Sequence, residues 1–256
     1  MADLIEVKDV GITYQVKDDL VHAIDKVSFS AREGEFITIV GPSGCGKTTI
    51  LKAVAGLLLP TEGSIEIGGV EVKGCNPNIG IVFQSPALMA WRTIIQNVML
   101  QVEVRHMDKN TYLPKAMDLI KLTGLNGFEH KWPYQLSGGM QQRASLCRAL
   151  IHDPPVLLMD EPFGALDALN RELMNLELQR IWLERKKTVL FITHSIQEAV
   201  FLGDKVIVFS TRPAVIQEIV TPKFKRPRDL TVMAEPEFAS IVGRIRSLLT
   251  AQSSMD

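Results

Sequence analysis

Nine residues constrain this chain more than any other stretch: Gly41-Pro42-Ser43-Gly44-Cys45-Gly46-Lys47-Thr48-Thr49. They follow the apolar run Phe36 to Val40 and open the helical pattern Lys47 to Leu57, so a buried strand turns through a glycine-rich loop into a helix. The spacing G-x-x-x-x-G-K-[ST] lets successive backbone N–H groups wrap an anion, and the helix N-terminus adds its partial positive charge. Lys47 supplies a point charge for phosphate, and the Thr48 hydroxyl a ligand for magnesium. A strand and helix joined in this way predict an α/β fold with helices packed on a mainly parallel sheet.

Four further apolar runs read as buried strands: Ile79 to Phe83, Val156 to Asp160, Thr188 to Ile192 and Lys205 to Phe209. Helical patterns at Asp108 to Leu122, Gly138 to Ile151 and Ala168 to Arg185 lie between several of them. Ser64 to Val72 alternates apolar residues around Gly68-Gly69, the signal of a tight hairpin with positive φ at both turn residues, and predicts a small antiparallel patch beside the parallel core. From about 86 to 151 strand signals vanish, so an inserted helical subdomain is expected within one domain spanning 1–256, with a C-terminal extension over 221–256. That extension holds a basic cluster, Lys223, Lys225, Arg226 and Arg228, read as a solvated face, and an amphipathic stretch from Phe238 to Leu249.

Twenty-eight Lys+Arg stand against 29 Asp+Glu, a balance that argues against a partner bound through a nucleic-acid backbone. The start, MADLIEVKDV, lacks the basic-then-apolar order of a signal peptide, and no run approaches the roughly 18 apolar residues of a membrane span, so the chain is expected to stay in the cytosol. Cys45, Cys75 and Cys147 form no CxxC pair, as suits a reducing compartment. The Cys45 thiol, inside the phosphate loop and beside Lys47, is expected to lean toward thiolate and to be open to alkylation.

A second chemical signal ends the run Val156 to Pro162, where apolar residues give way to Asp160-Glu161 at the C-terminal edge of a predicted strand. Parallel sheets place their ligand crevices at that edge. Asp160 is then placed to hold magnesium, directly or through water, and Glu161 to act as general base on an attacking water.

Within Leu136 to Arg143, LSGGMQQR, Ser137-Gly138-Gly139 opens a helical pattern, with Ser137 lying 23 residues before Asp160; the Ser137 hydroxyl and the backbone of Gly138 and Gly139 offer a second anion cradle at a helix N-terminus. Together with Tyr14, Gln84, GALD from Gly164 to Asp167, and His194, all in order, this makes the chain resemble the ATP-binding cassette (ABC) proteins. The resemblance implies a P-loop ATPase using ATP and Mg2+, with residues 41 to 49 holding the phosphates. By the same resemblance Tyr14 stacks on adenine, Gln84 touches magnesium and the attacking water, His194 contacts the γ-phosphate and Asp167 communicates across a dimer. Ser137, Gly138 and Gly139 would close on the ATP held by a second ABC ATPase subunit, identical or paralogous.

Ser85 to Val98, SPALMAWRTIIQNV, is similar to the corresponding segment of importer cassettes for nitrate, sulfonate and taurine-like solutes, with Ala90 where those usually carry proline. The stretch Arg226 to Ile245 resembles the same branch. This implies a peripheral subunit at the cytoplasmic face of the membrane, driving transmembrane permease subunits and served indirectly by an extracytoplasmic substrate-binding protein, with no nucleic acid partner. An exporter or lipid-transport cassette, and a cassette acting on DNA or ribosomes, are the alternatives. Leu88, Met89, Trp91, Ile94 and Ile95, just after Gln84, are expected to supply part of a permease-docking groove; the competing account buries all five in a helical core.

Overall fold

The computed structural model describes residues 3–16, 19–164 and 166–253. The chain opens with β1 (Asp3–Val16) and β2 (Asp19–Arg32), passes through β3 (Phe36–Val40) and α1 (Lys47–Val54), and returns as β4 (Glu62–Ile67) and β5 (Val70–Glu71). In the order β2-β1-β4-β5 four of these strands form an antiparallel sheet. The expected hairpin is there: Gly68 and Gly69 have φ 60° and 75°, and β4 pairs β5 through Glu66–Glu71 and Ile67–Val70.

The sequence reading assigned neither β1 nor β2, and their irregularity explains it. Asp9 has φ 46°, and the β1–β2 register shifts between the pairs Val7–Phe29 and Val10–Val27, so the period-two alternation is broken by a bulge.

Next come β6 (Ile79–Val82), α2 (Ile94–Val98), α3 (Leu100–Val104), α4 (Lys109–Leu122), α5 (Gly138–Leu150) and β7 (Val156–Asp160). The chain then runs through α6 (Ala168–Arg185), β8 (Thr188–Ile192), α7 (Ile196–Leu202), β9 (Lys205–Phe209), β10 (Ile216–Val220) and α8 (Pro236–Ser253). The second sheet has the order β10-β9-β3-β8-β7-β6; every neighbouring pair is parallel except β10 on β9.

Its central strands are buried on both faces, and alternation sorts their side chains. Phe36, Val40, Val189 and Phe191 join one apolar cluster with α2, α5, α6 and α7, while Ile37, Ile39, Leu190 and Ile192 join another with α1 and the antiparallel sheet. Each such aromatic or branched side chain contributes about 1.5–3 kcal/mol by leaving water, so this sheet is the rigid platform at whose edge the loops are set.

Helix starts follow side-chain oxygens that accept from the first-turn N–H groups: Asp108 before α4, Ser137 before α5, Asp167 before α6 and Ser195 before α7. α4 and α5 each lose one residue to their caps, Asp108 and Ile151, and two other ends fall short of the sequence expectation. α1 stops at Val54 instead of Leu57, because Gly56 takes φ 72° and Leu57 N–H bonds back to the Lys52 carbonyl, a left-handed helix stop. β6 ends before Phe83, which is exposed.

The basic cluster is only half solvated. Lys223 and Lys225 are exposed, but Arg228 is buried and donates to the carbonyls of Val200, Phe201 and Gly203 at the end of α7, and Arg226 bonds Asp204 and lies over the Trp182 ring. Among the described residues no helix is long and apolar enough to cross a membrane.

Candidate functional site

The site begins with the loop between β3 and α1. Gly44 (φ 73°) and Gly46 (φ 126°) take left-handed conformations, and a Cβ on Gly46 would meet the Ala23 carbonyl at 2.9 Å, so the loop can turn this sharply only with glycine. Lys47 is 4% exposed, and its ammonium donates to the carbonyls of Gly41 (2.9 Å) and Pro42 (2.8 Å), folding back along its own loop.

β7 lies two strands from β3, separated by β8, and all three end at the same edge. That topology brings the Thr48 hydroxyl within 3.1 Å of Asp160 Oδ1, to which it donates. Burial pushes the Asp160 carboxyl above its ordinary range, against the Thr48 hydrogen bond and the charges of Lys52 and Lys47.

The next residue, Glu161, stands at φ 46° with its N–H held by the Ile192 carbonyl at 2.9 Å. A non-glycine residue in that region carries strain on the order of 1–2 kcal/mol, and the chain spends it where the carboxylate must face the cleft. Glu161 Oε1 lies 2.5 Å from His194 Nε2, presented by the turn after β8.

Ser43, Gly44, Gly46, Lys47, Thr48 and Thr49 line one wall of a cleft of about 400 Å3; Gln84, Glu161 and His194 complete it with Arg212, a residue no sequence motif singled out. A second cavity, of about 230 Å3, is shared by Gln84, Glu161 and His194 with Arg171, Thr193 and Glu198.

The other expected site residues are distributed around this cleft. Tyr14 donates its hydroxyl to Thr49 Oγ1 at 3.2 Å, which sets its ring beside the start of α1. Ser137 caps α5 and accepts from Met140 N–H at 3.4 Å; Ser137, Gly138 and Gly139 do not line the cleft of their own chain. Asp167 caps α6 at 3.0 Å from Asn170 N, while Ala165 of the same motif lies outside the described residues.

The expectation for Cys45 is overturned: its side chain is 1% exposed, packed into the apolar cluster under α1, and burial raises its pKa despite nearby Lys47. Only the backbone of Cys45 is left to serve the loop.

The segment after Gln84 divides. Ile94 is fully buried and Leu88 and Ile95 pack against the same core, whereas Trp91 is 72% exposed. The segment is held by groups the sequence reading did not assign: buried Asn97 accepts from Met89 N and donates to Met89 O, and α5 reaches across with Gln142 bonding the Phe83 carbonyl and Arg148 those of Ala87 and Pro86.

Comparison with known proteins agrees with this geometry. Residues 24–164, more than half of the chain, match the family described as ABC transporter. An uncharacterized ABC transporter ATP-binding protein of Methanocaldococcus jannaschii is 48% identical over 227 residues, 89% of this chain and 85% of the relative. The taurine import ATP-binding protein TauB of Pelagibacter ubique is 44% identical over 218 residues, 85% of this chain and 82% of the relative. Among solved structures, the dimeric post-hydrolysis state of the ATP-binding cassette MJ0796 bound to ADP and Pi superimposes with a TM-score of 0.75 at 31% identity, covering 86% of this chain and 100% of that one. A phosphate loop, a hydroxyl–carboxylate pair and a carboxylate–histidine pair meeting at one sheet edge, with these relatives, establish that the chain belongs to the ABC transporter family as one of its ATPases.

Proposed function

We propose that this ATPase is the driving subunit of an importer, working through separate permease subunits at the cytoplasmic face of a membrane, with nitrate, sulfonate or taurine-like compounds as the solute class. The observation that carries the catalytic part is the convergence of Lys47, Thr48, Gln84, Glu161 and His194 on one cleft. The solute class is supported by the similarity to a taurine import protein; the permease and its extracytoplasmic binding protein would set the transported molecule.

In this reading the N–H groups of residues 41 to 49 and the α1 N-terminus receive the nucleotide phosphates, Lys47 turns its ammonium from the Gly41 and Pro42 carbonyls to them, and Tyr14 contributes its ring to the base. Thr48, Asp160 and Gln84 offer the hard oxygen ligands a magnesium ion prefers; when bound with ATP it would neutralise phosphate charge. Glu161 takes a proton from the attacking water, and His194, already bonded to that carboxylate, orients it and reaches the γ-phosphate.

Ser137, Gly138 and Gly139 stand away from this cleft and would complete the site of a second cassette; a dimeric structural relative supports that arrangement. The chain reads as one domain over 1–256, with residues 86–151 as the helical insert that carries this signature and 221–256 as its extension. Closure of two cassettes on ATP makes the nucleotide a ligand of the closed state, which pulls on a permease docked near Trp91.

The test is Glu161→Gln: it should retain ATP binding and lower hydrolysis by about 10²- to 10⁴-fold, the range for losing a positioned base. Hydrolysis at the parental rate would refute the role of Glu161.

A further inference from the structure

Arg212 lines the cleft without belonging to any of the motifs above. β9 runs parallel to β3, so both strands end at one edge, and the chain leaving β9 passes beside the phosphate loop. That passage is a built turn. Ser210 Oγ accepts from Val215 N at 2.9 Å and donates to the Thr211 carbonyl at 2.8 Å, while Ala214 exchanges two 3.0 Å backbone hydrogen bonds with β2, donating to Ala23 and accepting from Asp25. From this pinned turn the guanidinium reaches over the loop, and Nη2 donates to the Gly44 carbonyl at 2.7 Å.

The electrostatics give this bond a purpose. A loop that receives an anion must turn its N–H groups toward it and its carbonyl oxygens away, since an inward carbonyl would repel the charge it is meant to hold. Gly44 sits at φ 73°, a conformation that glycine enters and leaves easily, so its peptide has the least intrinsic reason to keep one orientation. Arg212 fixes it from outside. A guanidinium stays charged at all working pH values and has five N–H donors, so one bond to Gly44 leaves charge facing the same cleft as Lys47.

We infer that Arg212 is a positioning residue of the nucleotide site: it holds the phosphate loop in its anion-receiving form through the Gly44 carbonyl and adds its charge to that of Lys47 in attracting a nucleoside di- or triphosphate. The inference rests on the nucleotide reading proposed above.

The test compares the full-length parent with Arg212→Ala, Arg212→Lys and Lys47→Ala, titrating ATP and ADP by calorimetry and following steady-state hydrolysis and thermal unfolding. Arg212→Ala should weaken nucleotide binding about 5- to 10-fold, the scale of one exposed charged hydrogen bond. The loss should appear in KM, with kcat within about twofold, and the unfolding temperature should stay at the parental value because the side chain is exposed. Arg212→Lys, which keeps the charge and a donor, should recover part of the affinity. Parental affinity in Arg212→Ala, beside lost binding in Lys47→Ala, would overturn the inference and leave the site reading intact. Parental affinity in Lys47→Ala would refute the site reading itself. An unfolding temperature lowered in Arg212→Ala with KM unmoved would reduce Arg212 to a structural contact and also overturn the inference.

Discussion

Glu198 offers a quantitative test of how the histidine turn is held. It lies in the first turn of α7, 4% exposed, and shares the second cavity with Glu161 and His194. One carboxyl oxygen accepts from the Thr193 hydroxyl, and the backbone N–H of Glu198 donates to Ser195 Oγ at 3.3 Å, so the residues on both sides of His194 are tied to this one residue, Thr193 through its side chain and Ser195 through its backbone. Burial drives its pKa from 4.5 to about 7; Thr193, Arg171 and Asn175 pull it down, and the Glu161 charge pushes it up.

The unfolded chain releases this proton near 4.5 and the folded chain keeps it until about 7. Between those values the folded state binds more protons, so stability falls as pH rises, and the loss is complete above about 7. At 1.36 kcal/mol per pKa unit the interval corresponds to about 3 kcal/mol, or roughly 6–12 °C in Tm for a chain of this size. Glu198→Gln is nearly isosteric with the protonated acid: its carbonyl can accept from Thr193 while its amide takes the place of the acid O–H. The variant and parent should therefore unfold at similar temperatures at pH 5, with the variant ahead by most of that margin at pH 8, as followed by scanning calorimetry. Parallel profiles, or a parent that gains on the variant as pH rises, would refute the account.

Three further outcomes are expected. Mixing Lys47→Ala chains with Ser137→Arg chains should leave at most one intact composite site in each mixed dimer, so full activity of that dimer would refute completion of the site by a second chain. Cys45, buried and with a raised pKa, should react with iodoacetamide far more slowly than exposed Cys75, as read by mass spectrometry of the labelled peptides, and equal rates would contradict the packing. Trp91→Ser removes a side chain already in solvent, so thermal unfolding and ATP affinity should be unchanged while assembly with the permease, measured by co-purification, is lost; normal assembly would rule out docking through Trp91.

Much of the fold was legible because local chemistry and tertiary burial agree in the central sheet. Phe36–Val40, Val156–Asp160, Thr188–Ile192 and Lys205–Phe209 are continuous apolar runs because both faces of a parallel strand are covered. Asp108, Ser137 and Asp167 mark helix starts that the sequence also marks. The edges were less readable: β1 and β2 are interrupted by a bulge, and β10 has an exposed side that dilutes its pattern. In the site, the phosphate loop and Asp160-Glu161 could be read because their chemistry is local in sequence. Arg212 and Glu198 could not, since Gly44 lies 168 residues from its arginine and nothing in a glutamate on a helical pattern says that its carboxyl is enclosed. The error over Cys45 has the same origin. Proximity to Lys47 in sequence gave the charge, but the direction of the thiol, into the core beneath α1, is set by the turn of the loop.

One helix gives the separated parts of the site a mechanical connection. α5 is capped by Ser137, whose side chain does not line its own cleft, and one turn on it donates from Gln142 to the Phe83 carbonyl beside Gln84. Two turns further Arg148 holds the carbonyls of Pro86 and Ala87, at 2.8 and 2.6 Å, and the same segment continues through Met89 and exposed Trp91 to α2. A helix keeps its length, and charged or amide donors to backbone carbonyls resist stretching more than apolar contacts do. Displacement of the Ser137 end by a second cassette must therefore either rotate the Gln84–Trp91 segment with α5 or break these bonds. Gln84 and Trp91 are exposed, and the segment is tied onward through Asn97, which bonds Met89, Arg92 and Thr93, so a rotation would carry the start of α2 with it. Under the proposed function, motion at Ser137 would reach Gln84 in the cleft and exposed Trp91 together, without a separate relay between them.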